Sequence, residues 1–265
     1  MKLKGRVALV TGASRGIGAG IAKCMAREGA AVVVNYFRSE AAAREVVQEI
    51  EASGGRAIAI RADVGDFQQV KRMVEQAVAE LGKVDILVSN AGIKGKGKAL
   101  IDLTYEEFTE TINNHLVGAF NCARNVLPYM RGYERGDLQF ISSRSTDMLM
   151  ANDSDYNAAK AGMDALAKGL AKEERYHGIR VNAIGPGLVP TDMAWGSVSK
   201  TTGMDDLEEV DKGMPLGRMV RAEDIGNLCV FLASEEGSHI SGEVIYVRGA
   251  VGAEPPPFYL PKSTS

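Results

Sequence analysis

The stretch Thr11-Gly12-Ala13-Ser14-Arg15-Gly16-Ile17-Gly18 joins the apolar run Val7 to Val10 to a helix-patterned run that reaches Arg27. Three glycines between a short apolar run and an amphipathic one leave few folds open: a buried strand, a tight turn and a helix. Gly12 permits a turn that other residues resist, Gly16 lets backbone approach a phosphate closely, and Gly18 lets the helix pack against the sheet. The free N–H groups and the positive dipole end of such a helix suit a pyrophosphate. Ser14, Arg15 and Ile17 belong to the same turn.

The pattern then repeats. Further short apolar runs predict strands at Ala31 to Asn35, Ala57 to Arg61, Ile86 to Ser89, Leu138 to Ser142, Val181 to Ile184 and Val244 to Val247. Most are continuous apolar runs, as buried parallel strands should be. Between them, helical periodicity marks Ile17 to Arg27, Glu40 to Ala52, Phe67 to Leu81, Phe108 to Met130, Tyr156 to Arg175 and Ala222 to Ala233. Thr104, followed by Tyr105-Glu106-Glu107, reads as a capping box. With 265 residues, 45% of them hydrophobic, one core suffices. The expected class is α/β: a single-domain doubly wound parallel sheet (Rossmann fold) with helices on both faces, over residues 1–250, followed by a proline-rich tail at 251–265. A ligand of such a sheet lies outside the carboxyl ends of its strands.

A second constellation carries chemistry. Tyr156 and Lys160 are separated by one helical turn, and Ser143 stands thirteen residues before the tyrosine, beyond a predicted strand. The spacing puts both side chains on one helix face. A free tyrosine titrates near ~10, so acid–base work at neutral pH asks for lowering by about 3 units, roughly 4 kcal/mol. An ammonium about 4 Å away at an effective dielectric near 20 supplies about that much. Ser143 is placed to hold a substrate oxygen by hydrogen bond. The bare Tyr-x-x-x-Lys spacing is common on amphipathic helices; the nucleotide turn and the serine together select the chemical reading, hydride transfer to a carbonyl.

These residues, in this order, resemble the short-chain dehydrogenase/reductase family over nearly the whole chain, from Leu3 to about Gly249. The resemblance implies further site residues. Asp63-Val64 is similar to the pair that contacts adenine, Asn90-Ala91-Gly92 to the motif beside the cofactor ribose, and Pro186-Gly187, with Val189 and Thr191, to the segment at the nicotinamide end. NAD-specific members place an acidic residue at the end of the second strand. Here Asn35, Tyr36 and Arg38 stand there, and Arg15 lies in the glycine turn, so NADP(H) is the implied cofactor. The overall pattern, including Met214-Pro215-Leu216-Gly217-Arg218, is closest to 3-oxoacyl-[acyl-carrier-protein] reductases. Glu134 and His177 occupy the surface positions aligned with carrier-docking arginines, so a free ketone, sugar or steroid-like carbonyl stands as an alternative to an acyl thioester. A non-catalytic NADPH-binding subunit or sensor is a further alternative. A homo-oligomer, tetramer or dimer, is expected from the resemblance.

Two departures stand out. His115-Leu116-Val117-Gly118-Ala119-Phe120 aligns with a stretch that usually begins with a catalytic asparagine, so His115 takes that position, and Asn114 lies about 100° away on a helix. The histidine either serves through its ring nitrogens or backbone carbonyl, making the rate sensitive to pH near ~6.5, or is a neutral packing residue. At the other end, Val247-Arg248-Gly249-Ala250 replaces the usual Val-Asp-Gly-Gly and leads into Glu254-Pro255-Pro256-Pro257.

A net charge of −3 and a sequence pI of about 5.8 give no sign of a nucleic-acid surface, and no apolar run is long enough for a membrane helix. The chain enters a strand directly after Met1-Lys2-Leu3-Lys4, so a soluble, cytoplasmic protein is expected. Cys24, Cys122 and Cys229 read as reduced core thiols, with no metal role. Asp192 to Gly213 reads as a substrate lid with Met193, Trp195, Val198 and Met204 as apolar walls, or as ordinary surface helix. Lys94-Gly95-Lys96-Gly97-Lys98 reads either as a plain solvated loop or as a basic loop that attracts an anionic substrate.

Overall fold

The computed structural model describes residues 1–191, 195 and 206–249. The proposed lid residues Met193, Val198 and Met204 and the tail from Ala250 onward lie outside them. Among the described residues the sheet has seven strands: β1 (Val7–Val10), β2 (Ala31–Tyr36), β3 (Arg56–Arg61), β4 (Ile86–Ser89), β5 (Gly136–Ile141), β6 (Ile179–Pro186) and β7 (Val244–Val247). Their order is β3-β2-β1-β4-β5-β6-β7, and every pairing is parallel. The order reverses at β1, where Val10 pairs with Val34 on one side and Val88 on the other. That reversal opens a crevice at the carboxyl end of β1, where the glycine turn begins.

The helices between strands are α1 (Gly16–Arg27), α2 (Glu40–Ala52), α3 (Phe67–Leu81), α4 (Tyr105–Ile112), α5 (Gly118–Met130), α6 (Ser145–Met148), α7 (Ser154–Glu174), α8 (Leu207–Lys212) and α9 (Ala222–Ala233). They bury apolar stripes on both faces of the sheet. One face joins α1, α2 and α9 around Ile21, Met25, Val32 and Leu232; the other joins α3, α5 and α7 around Leu9, Met73, Leu87 and Phe140. Full burial of a side chain such as Phe140 or Leu9 stabilises by about 1.5–3 kcal/mol. Cys24, Cys122 and Cys229 are buried and free. At the amino ends of the strands Arg6 bridges Asp85 and Asp137 at 2.8 Å each, and Arg180 reaches Asp137 at 2.6 Å. This charge cluster lies at the end of the sheet opposite the crevice.

One expected element is divided. The helix read from Phe108 to Met130 is α4, a π-helical turn at Asn113–Val117, and α5. Thr104 does start α4 with a reciprocal box: its hydroxyl accepts from the Glu107 amide at 3.2 Å, and the Glu107 carboxylate accepts from the Thr104 amide at 3.1 Å. The π turn is fixed from outside the helix: Gly118 is pressed on Val64, and a Cβ there would meet the valine methyl at 2.8 Å. No helix among the described residues is long and apolar enough to cross a membrane.

Candidate active site

The glycine turn is tied to the neighbouring strands before any ligand is considered. The Thr11 hydroxyl accepts from the amides of Asn90 at 2.9 Å and Ala91 at 3.0 Å, and the Asn90 amide group donates back to the carbonyls of Thr11 and Gly12. Asn35 accepts from the Gly12 amide at 3.1 Å and donates to the carbonyls of Ile60 and Ala62. Gly12 and Gly16 have φ of +60° and +56°, which L side chains resist. A Cβ on Gly18 would fall 2.5 Å from the Gly12 carbonyl and from Asn90. The turn therefore leaves α1 with its first amides bare at the crevice.

A cavity of about 1250 Å³ runs from this turn across the carboxyl ends of the strands. Small-ligand pockets span about 300–1,000 Å³, so a dinucleotide fits the size. Of the residues expected at the site, Gly12, Ser14, Arg15, Gly16, Ile17, Gly18, Asn35, Arg38, Asp63, Val64, Asn90, Ala91 and Gly92 line it, as do His115, Ser143, Tyr156, Lys160, Pro186, Gly187, Val189 and Thr191. Tyr36 does not. Side chains alternate along a strand, so Asn35 and Phe37 face the cavity while Tyr36 is buried in the core. At the same corner the Arg15 guanidinium is hydrogen-bonded to the Ser39 hydroxyl, and Arg38 lies over the Phe37 ring at 5.3 Å.

Sequence reasoning missed a whole wall. Tyr105, Thr109 and Asn113, with Glu106, Glu110 and Asn114, line the cavity from α4 and the π turn, and Leu188 lines it after β6. The two i, i+4 rows on one amphipathic helix were the available signal. In the basic loop Lys96 reaches Glu110 at 2.6 Å and Lys98 reaches Glu107 at 2.5 Å, so α4 offsets part of the charge that the alternative of anionic-substrate attraction relied on. In the proposed lid region, Trp195 packs with Leu188, Val210, Met214 and Met219, and residues read as weakly periodic form α8, capped by Asp206.

The catalytic candidates meet at the cavity's inner end. Ser143 follows β5; its hydroxyl accepts from the Ser145 amide at 3.1 Å and acts on Tyr156 to lower that hydroxyl's pKa. Lys160 is 3% exposed; its ammonium donates to the Ile141 carbonyl at 2.7 Å and lies 5.6 Å from the centre of the Tyr156 ring. Burial pushes the Tyr156 hydroxyl up to about 12, against the lowering effect of Ser143. Burial likewise brings Lys160 down to about 7, with Asp164 opposing. The tyrosine therefore stands above its ordinary value where a lowering was expected, and removal from water is the chief cause.

His115 is 3% exposed, in the π turn, its ring edge-on to Tyr156 with centroids 5.2 Å apart. Burial first and the Lys160 charge second bring it down to about 3, so it stays neutral across physiological pH. Burial thus argues for the neutral packing alternative and against titration near 6.5. Asn114 is held by the Glu110 carbonyl at 3.0 Å.

A family profile described as "Enoyl-(Acyl carrier protein) reductase" matches residues 12–251. A 3-oxoacyl-[acyl-carrier-protein] reductase of Staphylococcus epidermidis is 40% identical over 245 residues, covering 92% of this chain and 98% of that protein. A short-chain dehydrogenase of Burkholderia cenocepacia in complex with NADP superposes with a TM-score of 0.85 at 34% identity, covering 96% and 99% of the two chains. A 7α-hydroxysteroid dehydrogenase complexed with NADH and a 7-oxo bile acid gives 0.84 at 33% identity, covering 96% of each.

Proposed function

Because this chain belongs to the short-chain dehydrogenase/reductase family, oxidoreductases acting on CH–OH and C=O groups, we propose that it reduces a carbonyl with NADPH, a 3-oxoacyl thioester by first choice. The observation that carries the reading is the meeting of Ser143, Tyr156 and, one helical turn on, Lys160 at the inner end of a dinucleotide-sized cavity. The bare amides of α1 suit the pyrophosphate, and Asp63 and Val64 flank the adenine end. Arg15 and Arg38 supply charge for a 2′-phosphate. Pro186, Gly187, Val189 and Thr191 form the nicotinamide end.

The residues that line this cavity would hold the nicotinamide cofactor, whose chemistry there would be the supply of a hydride for the carbonyl carbon. Ser143 orients the carbonyl oxygen, and Tyr156 passes its hydroxyl proton to that oxygen, so the ketone becomes an alcohol with atoms and charge in balance. A tyrosine pushed up to about 12 remains protonated at neutral pH, which suits it as donor in the reductive direction. Lys160, when charged, stabilises the tyrosinate that results.

A second reading, a free ketone or steroid-like carbonyl, is favoured by Glu134 and His177 at the positions aligned with carrier-docking arginines. NADPH oxidation against an acetoacetyl thioester, cyclic diketones, a steroid ketone and sugar-derived ketones separates the two. Turnover of the thioester supports the first reading, and activity confined to free ketones the second. Tyr156→Phe should abolish both; near-normal turnover by that variant would refute the assignment.

A further inference from the structure

The turn that carries Ser143 is tied to the last strand of the sheet by a directed chain of hydrogen bonds. The Ser143 carbonyl accepts from the Thr146 amide at 3.2 Å and from the Thr146 hydroxyl at 3.1 Å. A threonine hydroxyl has one proton to give. With that proton on the Ser143 carbonyl, the 2.8 Å contact between Thr146 Oγ1 and the Tyr246 hydroxyl is donated by the tyrosine. The chain therefore runs from Tyr246 to Thr146 to Ser143. The Ser143 hydroxyl accepts from the Ser145 amide at 3.1 Å, so the first two residues of α6 hold both the main chain and the side chain of the serine.

Tyr246 is itself seated. It pairs with Gly185 across β6 and β7, and a Cβ on that glycine would come 2.4 Å from the tyrosine ring and 3.3 Å from the Ser143 carbonyl carbon. A glycine at 185 thus lets the ring lie directly behind the serine turn. Two residues further on, the Arg248 guanidinium lies over the same ring, 4.5 Å from its centre, and pairs with Asp147, the neighbour of Thr146. Arg248 is the residue that stands where relatives usually have aspartate. An aspartate there would meet Asp147 with like charge, whereas the arginine closes a second link between β7 and α6.

We propose that Tyr246, acting through Thr146, and Arg248, acting through Asp147, are positioning residues for Ser143, fixing its turn so that the serine hydroxyl is aimed at the substrate carbonyl oxygen. The inference rests on the reading that Ser143 orients that oxygen. Thr146, Tyr246 and Arg248 do not line the cavity, so their effect on the reaction passes through the serine. Misplacement of a reacting group by about 1 Å can cost about a hundredfold in rate, which makes such a seat worth building.

The test is kinetic, on the full-length protein with NADPH and the best carbonyl of the panel above. Tyr246→Phe keeps the ring and removes the donor; kcat should fall about three- to tenfold with KM for NADPH unchanged. Thr146→Val should lose at least as much, and Thr146→Ser, which keeps the hydroxyl, should recover most of the rate. Arg248→Asp should fall like Tyr246→Phe. The deciding comparison is made in Ser143→Ala protein, where adding Tyr246→Phe should change the residual rate by less than about twofold, because the group being positioned is gone. Wild-type kcat in Tyr246→Phe or in Arg248→Asp, or an undiminished effect of Tyr246→Phe on the Ser143→Ala protein, would overturn the proposal. Near-normal turnover by Ser143→Ala alone would overturn instead the catalytic reading on which it rests. If Ser143→Ala leaves no measurable rate, hydrogen exchange decides without substrate. The Ser145 and Thr146 amides, both bonded to Ser143, should lose about three- to tenfold in protection in Tyr246→Phe while the amides of β1 keep theirs; unchanged protection at Ser145 and Thr146 would refute the seat.

Discussion

Lys160→Met is the perturbation whose magnitude follows most directly from the structure. Lys160 is 3% exposed, its ammonium donates to one carbonyl at 2.7 Å, and burial brings it down from 10.5 to about 7. At about 1.4 kcal/mol per pKa unit, holding the protonated side chain there is unfavourable by about 5 kcal/mol relative to a neutral one. The sign follows from proton counting: the unfolded chain binds the proton more tightly. The penalty is therefore complete below the folded value of about 7 and fades as pH rises toward the unfolded value near ~10.4. Methionine, of similar length, removes the penalty but leaves the Ile141 carbonyl without this donor, a loss of about 1–3 kcal/mol. The net gain at pH 7 is about 2–4 kcal/mol, or roughly 5–15 °C in Tm for a chain of this size. Calorimetry of both proteins without added nucleotide should find the variant inactive yet more stable at pH 7, with the gap closed or reversed near pH 10. A variant that melts at or below wild type at pH 7, or a gap that ignores pH, would refute the burial argument.

Three other outcomes follow from named contacts. Gly92→Ala places a methyl against the His115 ring, which is held by Ile93 and packed on Tyr156; a loss of about 1–3 kcal/mol in thermal stability and a lowered kcat are expected. Arg15→Ala and Arg38→Ala should each raise KM for NADPH about tenfold or more and leave NADH nearly unchanged, so an unaltered NADPH preference would exclude a 2′-phosphate contact. Glu174, whose carboxylate is buried and takes two bonds from Arg131 at 2.8 and 2.6 Å, is held below the usual carboxylate range chiefly by those bonds. Its stabilisation is present above the unfolded value near ~4.3 and lost as pH falls through the folded one; denaturant titrations of Glu174→Gln should give a deficit of about 1–3 kcal/mol at pH 7 that closes in acid.

The strands were legible because most are short apolar runs, buried throughout in β1 and β4 and half-buried in the edge strand β7, and these three begin and end where the runs do. The π turn was not legible. A single extra residue within Phe108 to Met130 is marked by no residue type of its own, and the close packing beside it involves residues distant in the chain, Val64 near Gly118 and Gly92 near His115. The same holds for the basic loop. The sequence displays Lys96 and Lys98, but their neutralisation depends on α4 folding back so that Glu110 and Glu107 reach them. Tyr36 is different, since strand parity alone separates it from Asn35 and Phe37; the error there was to treat the end of a strand as one surface.

The catalytic pair exposes the deeper limit. Treating Lys160 as a point charge about 4 Å from Tyr156 at an effective dielectric near 20 yields a lowering, whereas burial, which acts on each group separately, raises the tyrosine. In the folded chain that burial pushes the tyrosine up and the lysine down, so near neutral pH both drift toward their uncharged forms. A neutral tyrosine is a ready proton donor, whereas its use as a base needs positive charge to be kept beside it. Whatever holds the proton on Lys160 therefore matters more to alcohol oxidation than to ketone reduction, and the balance between the two directions rests on the few acceptors that surround the lysine head.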